Sequence, residues 1–348
     1  CPMRALVPRT HWTTQVEDTS GRAVLDRNEN CDAGLRTILA ERFLKELDPA
    51  CLIRYPNLRE AYLELAELTR LPPERLFLAA GSEQLIRALL YSHSPKKFGV
   101  TRPFRLYYPA PTYAMVAVYG ELFGYELKPV VYQYLKAERR FALDTELFLQ
   151  ADEHDVVYLP SPDNLTGRLF DTSLIQCICS TRCLVILDHA YIAFAGEGVC
   201  EEHQALAERF SSLVIVSSFS KAAGVAGLRV GHLFGHPDAI ARVYEDKPMY
   251  EVSGIACAYI SFLARNRGLI GETVSQLLMG KTLLESGFAK ADVIALESAG
   301  NFSVFEDTDL FDKFRKIANV RSFEVNGSRF VRITASDASS TRIMLERI

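Results

Sequence analysis

The chain has 348 residues, 49% hydrophobic and 24% charged, a globular usage that excludes disorder, collagen and coiled coil as its main character. Lys and Arg total 39 against 43 Asp and Glu, a net charge of −4, which gives no basis for bulk nucleic-acid binding. A chain of this length buries about three quarters of its extended surface and divides into roughly two domains.

Residues before about 31 have no core of their own and are expected to join the smaller of two units. Arg4, Arg9 and His11 interrupt the start of the chain, so no signal peptide is expected. From there helical and strand patterns alternate. Arg59 to Thr69 has helical apolar spacing, Leu76 to Ala80 is a short apolar run, and Ser82 to Tyr91 is helical. Arg105 to Tyr108 is strand-like and Thr112 to Phe123 helical. Val156 to Leu159, Leu184 to Leu187 and Leu213 to Val216 are short continuous apolar runs, suited to strands buried on both faces of a parallel sheet. Leu233 and Phe234 start another strand. The expected fold is α/β: a three-layer α/β/α large domain with a mostly parallel sheet over 31–250. After about residue 250 the pattern changes to a long helical stretch from Gly254 to Glu285. Asn301 to Glu306, a short helix at Leu310 to Lys316 and the strand-like Phe330 to Thr334 follow. With 1–30, residues 251–348 form the expected smaller α+β domain, closed by a helix capped at Ser339 or Ser340.

No apolar run approaches the roughly 18 residues of a membrane span. Eight cysteines occur, and only Cys177, Cys179 and Cys183 cluster, with no His at ligand spacing. They are expected as reduced thiols of a cytoplasmic protein, not as a metal site. Gly280-Lys281-Thr282 resembles the end of a phosphate-binding P-loop. The partner glycine is missing, with Ser275 in its place, and the segment has helical spacing, so it is rejected. No G-x-G-x-x-G, G-x-S-x-G or H-E-x-x-H occurs.

In parallel α/β sheets ligands bind beyond the carboxyl ends of the strands. Polar residues follow the strand-like runs here: Gly81-Ser82-Glu83 opening a helix, Ser161 to Asn164 with Thr166, Asp188 with Tyr191, and Ser217-Ser218-Phe219-Ser220-Lys221 with Arg229 eight residues on. A helix N-terminus with hydroxyls and an Arg can bind phosphate. A partly desolvated Lys can form a Schiff base, and a carboxylate can hold a protonated pyridine nitrogen. Singly, each residue has an ordinary reading as a turn, a cap or a surface loop.

Taken in order, the segments resemble the fold-type I pyridoxal-phosphate enzymes, specifically the histidinol-phosphate aminotransferase family. The resemblance rests on RNEN at 27–30, RYPN at 54–57, AAGSEQLI at 79–86, APTYAM at 110–115, SPDNLTG at 161–167 and LDHAY at 187–191. SFSKAAGVAGLRVG at 218–231, GNF at 300–302 and VRIT at 331–334 complete it. The 218–231 segment is the most specific.

That resemblance implies pyridoxal 5'-phosphate as cofactor, Lys221 as its Schiff-base lysine and Asp188 as the partner of its ring nitrogen. Asn164 and Tyr191 would bond the ring oxygen, and Tyr113 would stack on the ring. Ser82, Glu83 (through its backbone N–H), Ser218, Ser220 and Arg229 would line the phosphate pocket. Tyr55 would reach the neighbouring subunit's cofactor, implying a homodimer with shared sites. Arg332 would grip the substrate carboxylate, Arg321 is a candidate for a second anionic group, Asn28 and Asn301 are candidates to bind the substrate, and Asn28 and Asn30 to close over it. The implied reaction is transamination of an amino acid or amine with a second anionic group, a phosphate above all, between a small-molecule donor and a keto acceptor. Decarboxylation of a phosphorylated amino acid is the alternative, and a non-catalytic binding or scaffold domain is the third reading.

The sequence departs from the family pattern at His189, Leu165 and His232, where Glu, Pro and Tyr are usual. These changes remove nothing the cofactor chemistry requires. They suggest a branch with its own substrate. His189 and His232 are expected as packed or solvated histidines more than as groups supporting the site.

Overall fold

A computed structural model describes residues 21–347. The strand pairings and α/β layering follow from the apolar runs. A seven-stranded sheet has the order β1 (Leu76–Ala79), β7 (Gly231–Phe234), β6 (Leu213–Ser218), β5 (Leu184–Asp188), β4 (Val156–Pro160), β2 (Arg105–Ala110) and β3 (Glu126–Val131). Only β7 runs antiparallel to its neighbours. The runs VVYLP, LVILD and LVIVSS occupy its centre, covered on both faces, so they carry apolar residues at every position rather than at alternate ones.

Side chains alternate across the sheet, and two cores result. On one face Phe77, Val156, Tyr158, Ile186 and Val216 pack under α2 (Ser82–Ser92), α3 (Met115–Phe123) and α6 (Pro237–Tyr244). On the other, Leu78, Val157, Leu187 and Ile215 pack under α1 (Leu58–Thr69), α4 (Thr172–Cys179), α5 (Val199–Arg209) and α7 (Gly254–Arg265). Asn57 caps α1 by accepting from the Glu60 N–H, as a residue of that type does at a helix start.

The long helical stretch is two helices. Asn266 to Gly268 separate α7 from α8 (Leu269–Ala289). Although α7 follows residue 250, it buries Ala256, Tyr259 and Phe262 in the large sheet's core. The packing changes along α8: Leu269 lies in that core, while Leu284 and Phe288 lie in the core of the smaller sheet. That sheet is antiparallel, β8 (Phe302–Glu306), β10 (Ser328–Thr334), β9 (Arg321–Val325). Ala23–Val24 pairs beside it with Ala318–Asn319. We propose on this packing that residues 21–30 and the C-terminal strands make one small unit, with α8 as its bridge to the large one; residues 1–20 lie outside the described residues. The closing helix α9 (Ala338–Leu345) is capped by Asp337, whose carboxylate accepts from the Ser340 N–H. Neither Ser339 nor Ser340 is the cap. A carboxylate aimed at free helical N–H groups outcompetes a hydroxyl already inside the first turn.

Gly280 is the tightest point of the bridge. A Cβ there would lie 1.8 Å from the Ser336 carbonyl oxygen. Helix propensity favours Ala over Gly by about 1 kcal/mol, but overpacking against backbone costs about 1–3 kcal/mol and more where nothing can turn aside. Gly280→Ala is therefore expected to lower the denaturant midpoint. An unchanged midpoint would mean that α9 shifts away freely.

Candidate active site

The sheet register aligns the polar strand ends. Pro160 pairs with Asp188, Asp188 with Val216, Ser218 with Gly231, and Gly231 with Ala79. A cleft of about 200 Å³ opens at this edge. It is lined by Ser82, Glu83, Tyr113, Asn164, Asp188, Tyr191, Ser218, Ser220, Lys221 and Arg229, together with Arg27, Glu29 and Tyr158.

Asp188 is only 6% exposed. Its carboxylate accepts from Tyr158 Oη at 2.8 Å and from the Ala190 N–H at 3.0 Å. Burial pushes its pKa up; these two bonds and the positive charge of Lys221 oppose the shift. A cation meeting this carboxylate from the cleft would restore its charge. Tyr158 stands two residues before the end of β4 and faces the same side as Asp188, so alternation brings hydroxyl and carboxylate together.

Lys221 Nζ donates to the Arg27 carbonyl at 2.9 Å and lies 5.6 Å from the Tyr191 ring centroid. Across the cleft, α2 begins without a side-chain cap, leaving its first N–H groups available to an anion. Gly81 there has φ +85°, and a Cβ on it would approach Arg229 Nη2 to 2.8 Å. A Cβ on Gly231 would lie 2.7 Å from the Ser82 nitrogen. Both glycines keep this cradle open. The Glu83 carboxylate accepts from Tyr119 Oη at 2.8 Å. Burial, reinforced by Glu83, pushes the Tyr113 phenol up, so it stays neutral.

Asn28, Asn301 and Arg332 stand behind the cleft rather than on its wall. Asn28 is fully buried with φ +52°. Its side-chain amide donates to Tyr191 Oη at 3.1 Å and to the Asn164 carbonyl at 3.3 Å, and its backbone N–H donates to Thr334. Asn301 donates to the Asn28 carbonyl. Asn30 instead donates to the carbonyls of Lys221 and Ala222. Arg332, 5% exposed, donates to the carbonyls of Asn164 and Asp26, and its Nε has no partner among the described residues. Burial lowers its pKa, and no carboxylate among the described residues bonds it. Arg321 is exposed on β9, directly opposite Arg332 in register.

Tyr55 lies outside the cleft. It is 79% exposed and stacks on Tyr250 at 4.5 Å. His189 and His232 are packed rather than solvated: His189 Nε2 lies 2.9 Å from His203 Nδ1, and Phe219 flanks His232. Sequence reasoning missed Tyr158, Arg27 and Asp163. A Tyr inside an apolar strand was a usable signal, because a buried hydroxyl seeks a partner. Asp163 is buried and accepts from the Leu165 and Thr166 N–H groups and from Thr112, which fixes the turn that carries Asn164. Chemically, the cleft combines an amine able to capture a carbonyl, a buried carboxylate that favours a cationic partner, and an anion cradle.

The aminotransferase class I and II family matches residues 52–348. A histidinol-phosphate aminotransferase of Ralstonia nicotianae is 29% identical over 95% of this chain and 89% of its own length. Among solved structures, the Sinorhizobium meliloti histidinol-phosphate aminotransferase in complex with pyridoxal-5'-phosphate has a TM-score of 0.74 at 18% identity, covering 93% of this chain and 89% of that one. The Porphyromonas gingivalis L-threonine-O-3-phosphate decarboxylase has a TM-score of 0.69 at 19% identity, covering 90% and 96%. The chain belongs to the aminotransferase class I and II family and is a pyridoxal-phosphate-dependent aminotransferase.

Proposed function

We propose that the cleft at the sheet edge transfers an amino group from an amino acid or amine that carries a second anionic group, a phosphate in the first place. The observation that carries this reading is Asp188, a buried carboxylate opening onto the same cleft as the Lys221 amine and the anion cradle. These residues fit pyridoxal phosphate. Gly81 and Gly231 hold space that a Cβ would fill, and there Ser82, Glu83, Ser218, Ser220 and Arg229 would hold the phosphate. Asn164, Tyr191 and Tyr113 would hold the ring. When bound, the cofactor supplies an electron sink for negative charge developing at the substrate's reacting carbon. Lys221 Nζ would be the covalent attachment point and the base that moves a proton at that carbon. Asp188, fixed by Tyr158 and Ala190, would hold a proton on the ring nitrogen.

Arg332 is the proposed carboxylate anchor, since a buried guanidinium bonded only to carbonyls still lacks a counter-charge. The second anion is supported by Arg321 opposite it: like charges directly across a sheet repel, and an anion between them reverses the sign. The names of the curated relatives agree with a phosphate. Asn28 and Asn301 then act by holding Tyr191 and Asn164 in place.

We further propose a homodimer in which Tyr55 reaches the partner's site. Tyr55 sits with Leu52, Ile53 and Met249, which are 64%, 83% and 80% exposed, in an apolar patch of the kind that marks an interface. No helix among the described residues is long and apolar enough to cross a membrane. We propose a cytoplasmic setting; the seven cysteines among the described residues are unbridged, as thiols are in a reducing compartment.

Lys221→Ala is the decisive test. The variant is expected to fold, to lose borohydride-fixable cofactor and to lose turnover by several orders of magnitude; normal turnover would sink the assignment. With the wild-type protein and phosphorylated amino compounds, a keto product supports transfer, and carbon dioxide would move the reading to decarboxylation. Arg332→Gln is expected to raise KM about 10–100-fold, the worth of a charge-assisted pair, with a smaller change in kcat. A fall in kcat alone would remove Arg332 from carboxylate binding. Sedimentation should give the mass of two chains, with Tyr55→Ala weakening cofactor retention. A monomer with full activity would contradict the shared site.

A further inference from the structure

Lys281 stands on α8, in the Gly280-Lys281-Thr282 run that forms no P-loop. It is buried, and its Nζ donates to the carbonyls of Ser298 and Gly300. A buried ammonium is costly unless it is hydrogen-bonded, and two carbonyls of one turn meet that need. Burial lowers its pKa, against the pull of Glu285 and Glu297. Its neighbour Gly280 lies against the Ser336 carbonyl, which fixes where on the small unit the lysine stands.

The turn that Lys281 holds, Ser298 to Phe302, touches four parts of the cleft and its backing. Within the turn, Ser298 Oγ donates to the Phe302 carbonyl at 2.9 Å and accepts from the Gly300 N–H at 3.3 Å. The Ala299 N–H donates to the Gly167 carbonyl at 2.9 Å, and the Gly167 N–H to the Asp163 carbonyl at 3.0 Å, within the turn that carries Asn164. A Cβ on Gly167 would lie 2.2 Å from Ser298 Oγ, so the two turns are in direct contact. Asn301 donates to the Asn28 carbonyl. The Phe302 ring meets the Tyr191 ring edge-on at 5.7 Å, and its centroid lies 5.4 Å from the Arg332 guanidinium carbon. Tyr191 Oη accepts from the Asn28 amide, which leaves its own O–H to donate elsewhere, and Tyr191 lines the cleft.

We propose that Lys281 is a positioning residue for the cleft. Through the Ser298–Phe302 turn it sets the orientation of Tyr191 and of the turn that bears Asn164, the two groups read as bonding the cofactor's ring oxygen, and it holds the Phe302 ring against Arg332. The role rests on that reading of the cleft. Lys281 is not on the cleft wall and acts through the turn. An apolar side chain in its place would leave two carbonyls without their donor, and the turn would relax away from Gly167, Asn28 and Tyr191.

The test is a pH titration of the visible absorption band of the cofactor-loaded protein. Donors at the ring oxygen favour its charged form and so lower the midpoint. Lys281→Met, of similar volume and without a donor, is expected to raise the midpoint by about 0.5–1 unit, the size of one weakened hydrogen bond. Phe288→Leu is the control from the same helix. It should lower the urea midpoint through its ring contacts with Phe305, Phe311 and Phe314 and leave the band's midpoint in place. An equal shift in Phe288→Leu would make Lys281 a stabiliser only and overturn the role. So would an unchanged midpoint in a folded Lys281→Met. If Lys281→Met does not fold, Ser298→Ala loosens the same turn from within: a raised midpoint there supports the role and an unchanged one overturns it. A wild-type protein without a titrating band overturns the cleft reading and this role with it, whereas an unchanged variant beside a titrating wild type overturns this role alone.

Discussion

A carboxylate buried at the end of a parallel strand is the constraint around which the rest is arranged. Isolated in an apolar interior it would be protonated or would unfold its surroundings. Asp188 avoids both because Tyr158 rises from the neighbouring strand and the Ala190 N–H comes from the turn beyond it. Those two donors still leave it raised in pKa, and so poised for a cationic partner from the cleft. The register that sets Pro160 beside Asp188 is fixed by the apolar pattern of both faces, since a slip of one residue would turn the carboxylate into the opposite core.

On the division proposed above, the cleft is also a joint between two units. Asn28, from the small unit, bonds Tyr191 and the Asn164 carbonyl of the large one and is held by Thr334 and Asn301 behind it. Arg332 makes a parallel connection from β10 to the Asn164 carbonyl. The groups proposed for substrate and for cofactor therefore rest on a common hydrogen-bonded layer. A change on the small sheet would be felt at Tyr191 through Asn28 without touching the cleft.

The sequence shows the large sheet clearly because buried parallel strands need uninterrupted apolar runs, and LVIL followed by Asp188 is hard to read otherwise. It shows the cleft residues because they follow those runs. What it hides is whatever depends on tertiary approach. The Asp337 cap was masked by neighbouring serines of similar propensity. The break at Asn266 to Gly268 was lost in a continuous apolar pattern, and the placement of α7 depended on which core would accept Tyr259 and Phe262. Arg332 and Asn301 carry no local sign that they sit behind the wall rather than on it. The pairing of His189 with His203 joins residues whose proximity only α5 packing creates.

The short stretch from Leu25 to Asn30 has no core of its own and looks dispensable in the sequence. Yet its carbonyls receive Lys221, Arg332, Thr334 and Asn301, and its two asparagines reach into both units. A segment without a helix or strand of its own has thereby acquired the substitution sensitivity of a central strand. Its tolerance to change is set by residues 130 to 310 positions away along the chain, not by its own exposure.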